Sequence, residues 1–180
     1  MRKLWIIIFI AAIAQFSGCI IINAVSYEVN VNEDGTGTAL LSIYDINSDA
    51  SSKEALDEDV KNLFEYALKS KEFIDGMEAE GKKTASRNLY VVDGKLNADL
   101  KYSFVDISRV EGMQFEDPYY YLTIPPGDSI ISTNGQISRT NEYQRIIWDK
   151  SIKTLKFKMF SDDTDREGLT SLAKFYQKED

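Results

Sequence analysis

The chain of 180 residues has no histidine, one cysteine and three prolines. Without imidazole it lacks the side chain best suited to move protons near neutral pH, so Ser-His-Asp, Cys-His and His-based zinc sites are excluded. A single cysteine allows neither an internal disulfide nor a cysteine-rich metal site. Positive charge is also scarce: 21 basic residues stand against 29 acidic ones, a net charge of −8. Nucleic acid, which is bound by neutralising phosphates, is not an expected partner. No repeat, low-complexity tract or long Pro/Gly/Ser-rich linker divides the chain, and its length suits one core. No cofactor is expected. Ser-Lys or carboxylate pairs need no imidazole, so a His-free hydrolase is the remote alternative. Residue types this common pair by chance, and no catalytic residue is assigned.

What is present begins at the N-terminus. Arg2 and Lys3 precede the apolar run Leu4 to Ala14, and Phe16-Ser17-Gly18-Cys19 follows. A positive start, an apolar stretch of this length and small residues before a cleavage point form a secretory signal. The segment resembles bacterial lipoprotein precursors, whose lipobox ends in a small residue and the Cys that is lipidated and becomes N-terminal; Phe16 stands where Leu is usual. The resemblance implies residues 1–18 as signal peptide, Cys19 as lipid attachment site and residues 19–24 as a lipidated tether. With two or more acyl chains such an anchor holds stably. The absence of Asp after Cys19 resembles outer-membrane lipoproteins of enteric bacteria. The alternative is an uncleaved anchor over Leu4 to Ile22, which as a helix spans roughly 28 Å. Either way the expected location is the cell envelope.

From Val25 the pattern changes to alternation: Val25, Tyr27, Val29 and Val31 against Ser26, Glu28 and Asn30. Glu33-Asp34-Gly35-Thr36-Gly37 turns the chain into a second apolar run, Ala39 to Ile46. Ser51 and Glu54 form a capping box before Leu56, Val60, Leu63, Phe64, Ala67 and Leu68, an amphipathic helix whose mixed, acidic polar face suits packing on a sheet. A shorter helix over Lys71 to Glu80 ends at Gly81. Asp93-Gly94 predicts a type I' hairpin between Leu89 to Val92 and the alternating Leu96 to Phe104. Further strands are expected at Tyr119 to Ile124, Ile130 to Thr133, Tyr143 to Trp148 and Ser151 to Met159. The expected fold is α+β: one antiparallel hairpin sheet over residues 25–160, one main amphipathic helix on a face, and a C-terminal helix or tail over 161–180.

The Asp34-Gly35 hairpin, the Tyr102-Ser103-Phe104 strand ending at Asp106-Ile107, and Ile146-Ile147-Trp148 before Leu155-Lys156-Phe157 resemble the LppM-type lipoprotein domain. The resemblance implies an envelope lipoprotein with an alpha/beta domain and, in the mycobacterial members, affinity for lipid or glycolipid. That family commonly has a C-terminal transmembrane segment, whereas Ser161 to Asp180 is polar.

Candidate ligand-binding residues are Tyr119, Tyr120 and Tyr121, whose rings must alternate between faces of a strand, and Lys156 and Lys158, which project together with Lys150 in line. Core packing for two of the tyrosines and a solvated, aggregation-guarding edge for the lysines are the plain structural readings. Asn30 to Gly35 imitates half of an EF-hand loop, but Leu41 stands where a bidentate Glu is needed. Asp162, Asp163 and Asp165 suit the N-terminus of a final helix. No metal site is expected. The expected function is a non-enzymatic lipid or glycolipid binding module attached to the membrane through Cys19. A scaffolding lipoprotein that docks an envelope protein is the alternative.

Overall fold

The computed structural model describes residues 20–161 and 168–176. The signal segment, Cys19 and the Asp162-Asp163-Thr164-Asp165 run lie outside the described residues. The fold is β-rich, built on two antiparallel sheets. β1 (Ile20–Val31), β2 (Gly37–Ser48), β3 (Lys82–Val92), β4 (Lys95–Phe104), β7 (Asp128–Thr133) and β10 (Thr154–Ser161) form the larger in the order β3-β4-β2-β1-β10-β7, and β11 (Thr170–Ser171) adds to β2 as the seventh strand. The smaller holds β5 (Gln114–Glu116), β6 (Tyr119–Ile124), β9 (Gln144–Asp149) and β8 (Gln136–Arg139), in that order.

This corrects the α+β expectation. The hairpin strands do not form one sheet under a main helix; β6 and β9 leave the large sheet and carry a second layer of their own. Tyr120, Leu122, Ile124, Ile146 and Trp148 face Tyr27, Val29, Leu41, Leu100, Leu155 and Phe157 in one shared core. The Trp148 and Phe157 rings lie 5.9 Å apart across the two sheets. Each strand is readable by itself, but which sheet it joins depends on pairings between residues distant in sequence.

The helical part is short. α1 (Lys53–Lys61) runs into a π turn at Asn62–Ala67, and α2 (Lys71–Ala79) follows. The cap is Ser52, whose hydroxyl accepts from the backbone NH of Ala55, one residue beyond the expected Ser51. Leu63, with Leu56, Val60, Phe64, Ala67 and Leu68, packs on Ile46, Leu89, Leu96 and Leu172 at the end of the large sheet nearest Ile20. Arg87 closes the turn by donating to the carbonyls of Ala67 at 2.9 Å and Ser70 at 3.1 Å. The expected C-terminal helix is instead β11 and a 3-10 turn, Leu172–Phe175. Among the described residues no helix is long and apolar enough to cross a membrane.

Register sorts the large sheet into two faces. Tyr27 pairs with Leu41 and Phe157, and Leu41 with Leu100, all on the covered face. Their alternates, Ser26, Ser42, Asp99 and Lys158, meet across the same strands on the open face. Asp93 and Gly94 both take positive φ, 50° and 73°, as the type I' turn requires. Gly135 is needed for another reason: a Cβ there would lie 2.7 Å from Trp148 Nε1.

Candidate functional site

Strand alternation decides the fate of the tyrosine trio. Tyr120 enters the core at 8% exposure, while Tyr119, at 47%, and Tyr121 face outward from the smaller sheet. One ring, not two, is in the core, because β6 presents Tyr120, Leu122 and Ile124 inward. The outward rings belong to a small aromatic surface. The Arg145 guanidinium sits 4.6 Å from the Tyr121 ring centre and 5.1 Å from that of Tyr143. It also donates to Thr123 Oγ1 at 3.1 Å, and Tyr121 donates to Gln114 at 2.6 Å.

The three lysines do not act as one basic stripe. Lys150 pairs with Asp117 at 2.6 Å and Lys156 with Glu28 at 2.8 Å. Lys158 differs: its ammonium lies 4.0 Å from the centre of the Tyr44 ring, and among the described residues no carboxylate pairs with it. The contact arises because Ser26 faces Lys158 on one side and Ser42 on the other, with Tyr44 two residues farther along β2. The Tyr44 and Ser26 hydroxyls are hydrogen-bonded at 3.0 Å, which fixes the ring under the cation.

Around this pair is a groove of about 630 Å³ on the open face, at the end where β1 begins. Tyr90, Phe160, Ile131 and Val92 supply apolar surface, and Asn23 and Lys95 supply polar groups. Lys95 pairs with Asp45 at 3.1 Å, so Lys158 is the groove's unneutralised cation. Asp45 holds a positive φ of 57°, and its backbone NH donates to Asn97 Oδ1 at 3.1 Å, which stabilises the β2 kink beside the groove. The volume falls within the range of small-molecule sites. Sequence reasoning found Lys158 but not Tyr44, Tyr90 or Phe160. Their convergence depends on the β1–β2 and β1–β10 registers, which no local motif announces.

Two other clusters serve the structure. A second groove, of about 700 Å³ at the opposite end of β1, includes Asp34, Asp106, Asp117 and Asp149. The first, second and fourth accept from Thr36, Ser108 and Ser151, and these hydrogen bonds hold their carboxyls below the usual range. Among the described residues no cluster of metal-ligand type occurs, and the Asn30 to Gly35 run forms the tip of the β1–β2 hairpin. At the edge of the core, part-buried Glu111 approaches Tyr27 and Tyr102 near Lys82, itself paired with Glu80 at 2.9 Å. Burial pushes the Glu111 carboxyl up, against the opposing pull of the Tyr27 hydrogen bond and the Lys82 charge. The sequence offered no sign of this group.

No family model, curated protein or solved structure matches the chain. Its activity must be inferred from its own residues and geometry.

Proposed function

We propose that this protein is a bacterial envelope lipoprotein, anchored through acyl chains on Cys19, whose domain binds a lipid or glycolipid and performs no catalysis. The observation that carries the reading is the Tyr44–Lys158 groove, open to solvent and located at the end of the sheet that starts one residue after Cys19. Flat tyrosine faces suit sugar rings and acyl glycerol, and an unpaired ammonium suits a phosphate or carboxylate on the same headgroup. The space between the helical layer and the sheet is filled by Ile46, Leu63, Leu89, Leu96 and Leu172, so the ligand belongs on the open face rather than between helix and sheet. The Phe16 to Cys19 pattern supports the anchor, and Ile20, standing after Cys19 in place of Asp, supports an outer-membrane destination.

Native mass spectrometry of the protein extracted gently from bacterial membranes tests both halves. The expected species begins at Cys19, carries covalent acyl mass and retains a noncovalent lipid. An acylated species with no lipid would remove the binding function and leave the anchor. A second reading, docking of an envelope protein, is favoured by the outward Tyr119, Tyr121 and Arg145 surface on the smaller sheet. It predicts a co-extracted protein that is lost in Tyr119→Ala/Tyr121→Ala.

A further inference from the structure

We infer that the end of the large sheet where β1 begins is a second contact with the bilayer, in which the β3–β4 hairpin tip is seated in the headgroup layer. The inference rests on the anchoring proposed above. β1 starts at Ile20, so the Cys19 Cα is about 3.8 Å from the first strand residue. An acyl chain on Cys19 would therefore attach at this end of the sheet. The hairpin tip is at the same end: Asn23 and Ala24 of β1 line one groove together with Val92 and Asp93.

The tip is built for a half-apolar setting. Val92 is 51% exposed and Val91 40%, and as strand neighbours they point to opposite faces, so both sides of the Asp93-Gly94 turn present a valine. Ile131, at 47% exposure, faces the same groove from β7. At the tip itself Lys95 pairs with Asp45 at 3.1 Å, and Lys158 lines the same groove without a carboxylate partner among the described residues, so cations stand beside the exposed valines. The groove at the opposite end is lined by Asp34, Asp106, Asp117 and Asp149 together with Lys150 and Lys153, and has no exposed valine pair. The attachment point at Cys19 and the exposed valines at the same end give the domain one orientation, with the Tyr44–Lys158 groove opening beside the lipid.

The test uses the full chain, produced in a bacterial host with Trp5→Phe and reconstituted into phosphatidylcholine vesicles whose acyl chains are brominated near the headgroups. Val92→Trp reports on the tip. Val105→Trp, also exposed and following Phe104 at the opposite end, is the control; buried Trp148 is common to both. Val91→Trp takes over if Val92→Trp fails to fold. Bromination is expected to lower the tip emission by about half and to leave the control unchanged, the depth of an interfacial side chain. If the protein floats with the vesicles and the tip is unquenched, or both sites are quenched alike, the contact is overturned while the anchor stands. If it does not float and Cys19 is unmodified, anchor and contact fall together.

Discussion

The two faces of the large sheet share the same strands and follow opposite rules. On the covered face Val29 and Leu155 have no exposed surface, and neighbours from the smaller sheet interlock with them. On the open face their alternates Glu28 and Lys156 pair with each other, and Ser26 and Lys158 meet the Tyr44 side chain at the solvent-exposed groove. A methylene lost from the first face leaves a cavity, whereas a charge lost from the second leaves a solvated site. The covered face therefore holds the fold, and the open face is free to bind.

Trp148→Ala should break the covered face most severely. The indole is fully buried and donates to Asn134 Oδ1 at 2.8 Å, so its removal is expected to cost about 3–5 kcal/mol in urea unfolding. A loss below about 1 kcal/mol would mean that the two sheets do not share a core.

Glu111→Gln sharpens the comparison by removing an ionisable carboxyl that packs at the edge of the core face beside Tyr27. Burial raises its folded pKa, so its stabilising contribution is complete below the unfolded value of about 4.3 and lost as pH rises through the folded value. The glutamine does not ionise. Its stability relative to the parent should therefore increase from acid toward neutral pH, read from urea midpoints across that range. A difference that does not vary with pH would show that Glu111 is not sheltered.

The open face should tolerate far more. Glu28→Ala and Lys156→Ala break an ion pair whose members are each about half exposed, and each is expected to shift stability by less than about 1 kcal/mol without affecting bound lipid. Added salt should shrink that effect further. A larger loss would place the pair among the groups that hold the fold.

Local chemistry was legible and long-range pairing was not. The Asp93-Gly94 turn, the Tyr119 to Ile124 strand and the Gly81 stop stand where glycine placement and alternation put them. The second sheet was missed because β5 and β8 are only three and four residues long, and because nothing within β6 or β9 states that they pair with each other. Residues 20–24, expected as tether, are strand, since Ile20 to Ile22 pair with Ile46 to Ser48 before clear alternation begins. The groove was half visible: Lys158 stood out as a strand lysine, but Tyr44 and Tyr90 looked like ordinary aromatics until the register placed them beside it.

Lipid retention by the two candidate surfaces tests the central claim most directly. The Tyr44→Ala/Lys158→Ala and Tyr119→Ala/Tyr121→Ala proteins, extracted in parallel with the parent, are compared for noncovalent lipid by native mass spectrometry. The groove variant is expected to remain folded and acylated with its bound lipid lost, while the other variant keeps it. Retention in the groove variant, or loss only in the tyrosine variant, would contradict the assignment of binding to the open face of the large sheet.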